Sequence, residues 1–113
     1  MQKGTIIMKN SYFSDDIILM VWRKGKVVLG YDSNKYRQDE AGAWMAFDHY
    51  GNTDSEFGWE IDHIYPKSKG GSDRLDNLQP LQHQNNRAKG DSITGYRPAV
   101  TSQGNKNVYY LFN

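Results

Sequence analysis

The first clear pattern along the chain is an apolar run that follows a helix-start signal. Ser14 is a residue type that caps helix N-termini, and the acids at 15–16 favour the positive end of the helix dipole. The apolar segment 17–22 comes next, and Gly25 offers a stop. This pattern predicts a core helix over residues 15–24.

Shorter apolar and alternating runs predict strands. In chain order these strands are expected at 5–8, 27–29, 43–47, 57–64, 77–81 and 108–112. The strands 43–47 and 57–64 are separated by a turn and are expected to pair with each other. Pro80 indicates that the strand 77–81 lies at the edge of a sheet or is broken there. Residues 82–89 predict a second, short helix, which Gly90 ends. We therefore expect a single α+β domain over residues 1–113.

Composition narrows the class of protein. The 113 residues include no cysteine, which excludes disulfides and thiolate zinc sites and favours a reducing, cytoplasmic setting. No run reaches the roughly 18 apolar residues of a membrane helix, and the start lacks a signal-peptide pattern. With 14 basic and 13 acidic side chains, the net charge is +1. Contact with nucleic acid must then come from a local basic patch, and binding should be weak and salt-sensitive.

Side chains suited to hydrolysis are concentrated in the segment 59–91. Asp62 and His63 end an apolar strand, and Asn86 and Lys89 follow on the second predicted helix. Such residues can supply oxygen ligands for a hard metal, a neutral base for water and positive charge for phosphate. Neighbours on a regular strand point to opposite faces, so Asp62 and His63 can share a site only where the strand ends or twists. Taken alone, the pair is more often an ordinary surface acid beside a half-buried histidine, and only the spacing to the later residues favours a site.

Four stretches of this segment resemble the HNH (His-Me finger) nuclease family. They are Asp62-His63-Ile64-Tyr65-Pro66, Ser68-Lys69-Gly70-Gly71-Ser72-Asp73, Asn77-Leu78-Gln79-Pro80-Leu81 and Asn86-Arg87-Ala88-Lys89-Gly90-Asp91. The resemblance is dense over 59–91 and looser over 30–39. It implies a ββα-metal core at about 57–91, with an added N-terminal helix and short flanking strands.

The resemblance also implies a role for each motif residue. His63 would be the general base that takes a proton from the attacking water, and imidazole is largely neutral at physiological pH, as that role requires. Asp62 and Asn86 would bind the metal, and Asn77 would fix the loop and so orient His63. Lys89 would stabilise charge on the phosphate, although a cation at a helix C-terminus has a simpler explanation in the helix dipole.

The donor types predict which metal is bound. An Asp and Asn pair is a hard oxygen site that suits Mg²⁺ or Mn²⁺, one ion per site, with products ending in 5′-phosphate and 3′-hydroxyl. His83 would move the preference toward zinc if it were a ligand; otherwise it packs at the helix start or touches DNA. Glu60 is either a further acid near the metal or a solvated surface residue.

The remaining basic residues of the segment are candidates for DNA contact, or are merely solvated: Arg87, Lys67, Lys69 and Arg74. Many relatives hold a structural zinc with cysteines that would fall near Gln82 and Asn85, and both cysteines are absent here. We therefore expect the aromatic core and the N-terminal helix to hold the fold.

Two hypotheses about function remain. The first is a metal-dependent DNA endonuclease of the HNH type, and cutting both strands would then need two successive nicks or a homodimer. The second is a non-cleaving nucleic-acid-binding module that keeps the ββα shape. The joint presence of Asp62, His63 and Asn86 favours the first, whereas a structural zinc module is excluded by the lack of thiolates.

Overall fold

The computed structural model describes residues 12–111, so the strand predicted at 5–8 lies outside the described residues. Two helices and three antiparallel strand pairs form an α+β fold. In chain order the elements are α1 (Asp15–Trp22), β1 (Tyr36–Gln38), β2 (Trp44–Ala46), β3 (Trp59–His63), β4 (Leu78–Gln82), α2 (His83–Lys89), β5 (Val100–Gln103) and β6 (Lys106–Tyr109). Neither helix within this range is long and apolar enough to cross a membrane.

Helix α1 begins as predicted and ends before residue 24. The Ser14 hydroxyl accepts a hydrogen bond from the Ile17 amide at 3.3 Å. After Trp22 the chain leaves the helix, and the Lys24 ammonium donates to the backbone carbonyls of Leu75 and Leu78. These bonds tie the end of α1 to the start of β4. The helix itself is closed by backbone bonds from Lys24 to Val21 and from Gly25 to Trp22.

The strand predicted at 27–29 is absent from the described structure. Val27 and Leu29 are 60% and 98% exposed, and only Lys26 forms an isolated bridge, with Gln38. An apolar pair without a buried face gains nothing from strand formation, so the local pattern was misleading here.

The predicted pairing of 43–47 with 57–64 is also wrong. Strand β2 pairs with β1, which the sequence pattern did not indicate. The reason is the turn between them, in which the buried Asp39 carboxylate accepts hydrogen bonds from the amides of Ala41 and Ala43. This side chain closes the β1–β2 hairpin, so that β1 and not β3 becomes the partner of β2.

Strands β3 and β4 form the hairpin that carries the candidate site. Trp59 lies opposite Gln82 and His63 opposite Leu78, so both strands fall within two residues of their predicted bounds. Pro80 lies opposite Ile61 and interrupts the ladder without ending it. One face of the hairpin packs on α1, and the other is covered by α2.

An apolar cluster between α1, β2 and the hairpin forms the core. Its fully packed members are Ile18, Val21, Trp22, Met45, Trp59 and Leu78. The rings of Trp22 and Trp59 lie 5.2 Å apart, close enough for direct aromatic packing. Burial of each large side chain stabilises the fold by about 1.5–3 kcal/mol. The core thus contains two tryptophans, together with four side chains that are not aromatic.

A buried polar group links α2 to the C-terminal hairpin. Asn85 is fully buried, donates to Asp39 and to the Val100 carbonyl, and accepts from the amides of Ala99 and Val100. Gln82 caps α2 by accepting from the Gln84 amide. The side chains of Gln82 and Asn85 are thus hydrogen-bonded amides that support the fold, which the sequence pattern did not indicate.

The C-terminal hairpin corrects the last strand prediction. Strand β6 spans Lys106–Tyr109, so it begins earlier than the predicted strand 108–112 and ends before residue 110; residue 112 lies outside the described residues. Strand β5 occupies part of what was expected to be loop. The turn between them contains Gly104 with a φ of 63°, a backbone conformation that favours glycine.

Candidate active site

The face of β3 toward α2 carries a buried ion pair. The Lys89 ammonium lies 3.2 Å from each carboxylate oxygen of Asp62 and 3.0 Å from the His63 carbonyl oxygen. Both side chains are almost fully buried, at 2% and 6% exposure. Gln79, directly across the hairpin, donates to Asp62 at 2.9 Å.

Burial raises the pKa of the Asp62 carboxyl, because the charged form loses its hydration. The hydrogen bond from Gln79 and the charge of Lys89 act in the opposite direction. The buried carboxylate is therefore stabilised by a nearby cation, and in this structure that cation is the Lys89 ammonium.

A second contact on the same face joins Asn86 to Glu60. The Asn86 amide nitrogen donates to the Glu60 carboxylate at 2.8 Å. Asn86 and Lys89 are three positions apart on α2, and Glu60 and Asp62 are two apart on β3, so each pair shares a face. The structure thus brings all four side chains to one surface between β3 and α2.

His63 is the last residue of β3, and its ring contacts Asp73 and Phe13 rather than α2. Its Nε2 lies 2.7 Å from Asp73 Oδ1, and its ring centroid is 6.0 Å from that of Phe13. Within the described residues no hydrogen bond joins the imidazole to Asp62, Asn86 or Lys89. A positive charge on His63, when the ring is protonated, acts to lower the pKa of the Asp62 carboxyl.

Asp73 was not singled out from the sequence, although it lies within the motif text. Its Oδ2 accepts from the Tyr12 hydroxyl at 2.8 Å, and the Lys67 ammonium lies 3.1 Å from both oxygens. The hydrogen bond to His63, followed by those from Tyr12 and Lys67, lowers the pKa of the Asp73 carboxyl to about 2. Asp73 is therefore ionised at physiological pH.

Asn77 holds the loop that connects β3 to β4. Its Oδ1 accepts from the Tyr65 amide at 2.8 Å, while its Nδ2 donates to the carbonyls of Tyr65 and Ser72 at 3.1 and 2.8 Å. These three bonds fix the backbone immediately after the strand end at His63, and they bring the loop segment of Asp73 back toward it.

Most basic candidates lie on the surface and are paired with acids. Lys69 lies 3.5 Å from Asp91, and Arg74 lies 3.4 Å from Asp76. Arg87 is exposed on α2. None of these contacts is buried, so each cation can exchange its acidic partner for a phosphate at small cost.

His83 lies at the start of α2 and is largely buried. Its Nε2 is 2.9 Å from the Ser55 carbonyl oxygen, which accepts the ring N–H. Its Nδ1 is buried and has no hydrogen-bond partner among the described residues. The carbonyl contact attaches the helix start to the segment before β3.

The side chains between β3 and α2 offer oxygen donors, which are the ligands that hard divalent cations prefer. Within residues 12–111 no three His, Cys, Asp or Glu side chains cluster closely enough to form a metal site by themselves. The oxygen donors on this surface are the carboxylates of Asp62 and Glu60 and the amide oxygen of Asn86. Oxygen donors of this kind suit Mg²⁺ or Mn²⁺, with water completing the coordination.

Comparison with known proteins agrees with the motif analysis. Residues 54–95 match the family described as HNH endonuclease, which confirms the resemblance over this segment. The match includes β3, β4, α2 and every candidate site residue, and the arrangement of these elements is compatible with the HNH fold. An HNH segment indicates nuclease activity. No curated protein and no solved structure matches the chain.

Proposed function

We propose that the chain is a metal-dependent DNA endonuclease that hydrolyses phosphodiester bonds with His63 as general base, leaving 5′-phosphate and 3′-hydroxyl ends. The observation that carries this proposal is the meeting of Asp62, Asn86 and Lys89 between β3 and α2, within the HNH-matched segment. Buried charge of this kind is costly for a fold and is characteristic of functional sites.

His63 accepts the proton of the attacking water in this proposal. Its position at the end of β3 gives the ring access to solvent, with 18% of the side chain exposed. Asn77 supports this role, because its bonds to Tyr65 and Ser72 fix the backbone that follows His63.

Asp62 and Asn86 would hold a single Mg²⁺ or Mn²⁺, with Glu60 beside them. When bound, the ion offsets negative charge on the scissile phosphate and on the leaving 3′ oxygen. Lys89 keeps a buried positive charge beside Asp62, and this charge acts through space to stabilise the charge that develops on the phosphate.

DNA is held by the exposed cations around the site. Lys67, Lys69 and Arg74 lie on or beside the β3–β4 loop, and Arg87 lies on α2 next to Asn86. With a net charge of +1, the chain has little long-range attraction for DNA, so binding is weak and falls as salt rises.

The Lys89–Asp62 contact also favours the second hypothesis, a binding module without catalysis. Because the ammonium already balances the Asp62 charge, the fold does not need a metal to compensate this carboxylate. A module of this kind would bind DNA through the same cations and leave it intact.

The two functions are separated by incubating supercoiled plasmid with the protein in Mg²⁺, Mn²⁺ or EDTA. Nicked or linear DNA should appear only with metal, and His63→Ala should lower the rate by at least about 10²-fold, the usual scale of general-base catalysis. His49→Ala is the matched control, since this histidine lies outside the HNH-matched segment. Equal cleavage by wild type and His63→Ala contradicts the assignment of the base. Plasmid that is bound but uncut with every metal supports the binding module.

A further inference from the structure

Asp73 makes a short contact with the imidazole of His63. Oδ1 lies 2.7 Å from Nε2, a short distance typical of a hydrogen bond to a charged acceptor. The two residues are ten positions apart, and the loop between them is returned to the strand end by Asn77. The contact therefore depends on the folded loop and is not a consequence of sequence proximity.

We propose that Asp73 is a positioning residue for the catalytic base: its carboxylate holds the Nε2–H of His63 and leaves Nδ1 as the atom that takes the proton from water. This inference rests on the proposed nuclease function and adds to it the tautomer and orientation of the base. Asp73 itself does not contact the reacting atoms.

The hydrogen-bond chemistry fixes the tautomer. An ionised carboxylate has no proton to donate, so the ring nitrogen that faces it must carry the hydrogen. In a neutral imidazole the other nitrogen then holds the free lone pair. Because the pKa of Asp73 is lowered to about 2, the carboxylate keeps this acceptor role across the range in which a nuclease works.

Two further donors fix the position of the Asp73 carboxylate. Tyr12 donates to Oδ2 at 2.8 Å, and Lys67 donates to both oxygens at 3.1 Å. One oxygen of Asp73 accepts from the Tyr12 hydroxyl, and both oxygens accept from the Lys67 ammonium. Rotation of the carboxylate would therefore break several charge-assisted hydrogen bonds at once. The ring of His63 is therefore hydrogen-bonded to a carboxylate whose position is itself fixed by Tyr12 and Lys67.

The kinetic test is Asp73→Asn, which keeps the size of the side chain and replaces the obligatory acceptor with an amide. The amide can present its NH₂ to Nε2 and so favour the wrong tautomer. We expect kcat for plasmid cleavage to fall by about 10²–10⁴-fold, as for loss of general-base function. The KM for DNA should change by less than about threefold, because binding is mostly to backbone phosphate. A kcat within about threefold of wild type overturns the proposal.

Two variants separate positioning from a general effect of charge or loop structure. Asp54→Asn removes an exposed aspartate outside the site and should leave kcat unchanged. Tyr12→Phe removes one partner of Asp73 while the carboxylate still faces His63, so its loss of kcat should be smaller than that of Asp73→Asn. Equal losses for Tyr12→Phe and Asp73→Asn would mean that Asp73 serves only to hold the loop, which overturns the proposal.

The second readout is the tautomer itself, measured by long-range ¹H–¹⁵N correlation of the histidine rings at about pH 8.5, where unperturbed imidazole is neutral. We expect Nε2–H for His63 in wild type and a shift toward Nδ1–H in Asp73→Asn. A wild-type Nδ1–H form overturns the proposal. This experiment needs no cleavage, so it distinguishes the two failures: an inactive wild type defeats the proposed function, whereas an active wild type with a fully active Asp73→Asn defeats only the positioning role.

Discussion

Removal of the Lys89 charge is the sharpest test of the buried pair. Lys89→Met keeps the length and apolar stem of the side chain but leaves the Asp62 carboxylate buried with only Gln79 as a donor. Breaking a buried ion pair by removing one partner costs about 3–5 kcal/mol, and the remaining Gln79 bond favours the lower end, about 3 kcal/mol. In a domain of this size that corresponds to a fall in Tm of about 12 °C.

The assay is thermal unfolding at neutral pH in EDTA, with urea denaturation to confirm the free energy. Lys35→Met is the matched control, because Lys35 is exposed, and it should change stability by no more than about 0.5 kcal/mol. The double variant Lys89→Met/Asp62→Asn removes both charges and should recover most of the lost stability. The ion pair does not stabilise the fold if Lys89→Met melts within about 3 °C of wild type, or if the double variant is no more stable than the single one.

Three other variants test the surroundings of the site. Gly71→Ala should destabilise the fold by more than about 3 kcal/mol, since a Cβ there would meet the Tyr65 carbonyl oxygen at 1.8 Å. Gly70→Ala meets no nearby atom and should cost only about 1 kcal/mol of backbone strain, at its φ of 98°. Urea denaturation of both variants checks this order. Asn85→Leu should cost at least about 3 kcal/mol, because it leaves Asp39 and several backbone groups buried without partners, and an unchanged urea midpoint would contradict this. Asp73 has a pKa of about 2 against its ordinary 3.8, so it stabilises the fold above pH 3.8 and loses that contribution as pH falls through 2. The stability difference between wild type and Asp73→Asn should therefore shrink as acid unfolding is measured from pH 4 toward pH 2, and a constant difference would contradict the assignment.

Local signals account for the parts of the fold that the sequence predicted well. Helix α1 has a cap at Ser14 and an uninterrupted apolar run, and β3, β4 and α2 lie within two residues of their predicted bounds. Strand β1 was missed because Tyr36–Gln38 has no apolar period and forms only through the turn that Asp39 closes. Strand β5 was missed for a similar reason, since its start is fixed by the amide of Asn85.

In the candidate site, too, the sequence predicted what has a local signal and missed what depends on tertiary contacts. The motif supplied the residue identities, because an acid, an imidazole and amides at this spacing are a chemical pattern that can be read along the chain. The contacts between them depend on strand register and on where α2 crosses β3. Neither the Lys89 bond to Asp62 nor the Asp73 bond to His63 has a local signal, so both became visible only in the folded chain.

The position of a bound cation decides whether Asp62 and Asn86 form a metal site. Crystals soaked in Mn²⁺ should show, by anomalous diffraction, one ion at about 2.0–2.3 Å from a carboxylate oxygen of Asp62 and the amide oxygen of Asn86. The Lys89 ammonium should then have moved from at least one of the Asp62 oxygens that it now contacts. An ion bound elsewhere on the surface, or Asp62 still paired with Lys89 at saturating Mn²⁺, would contradict the account.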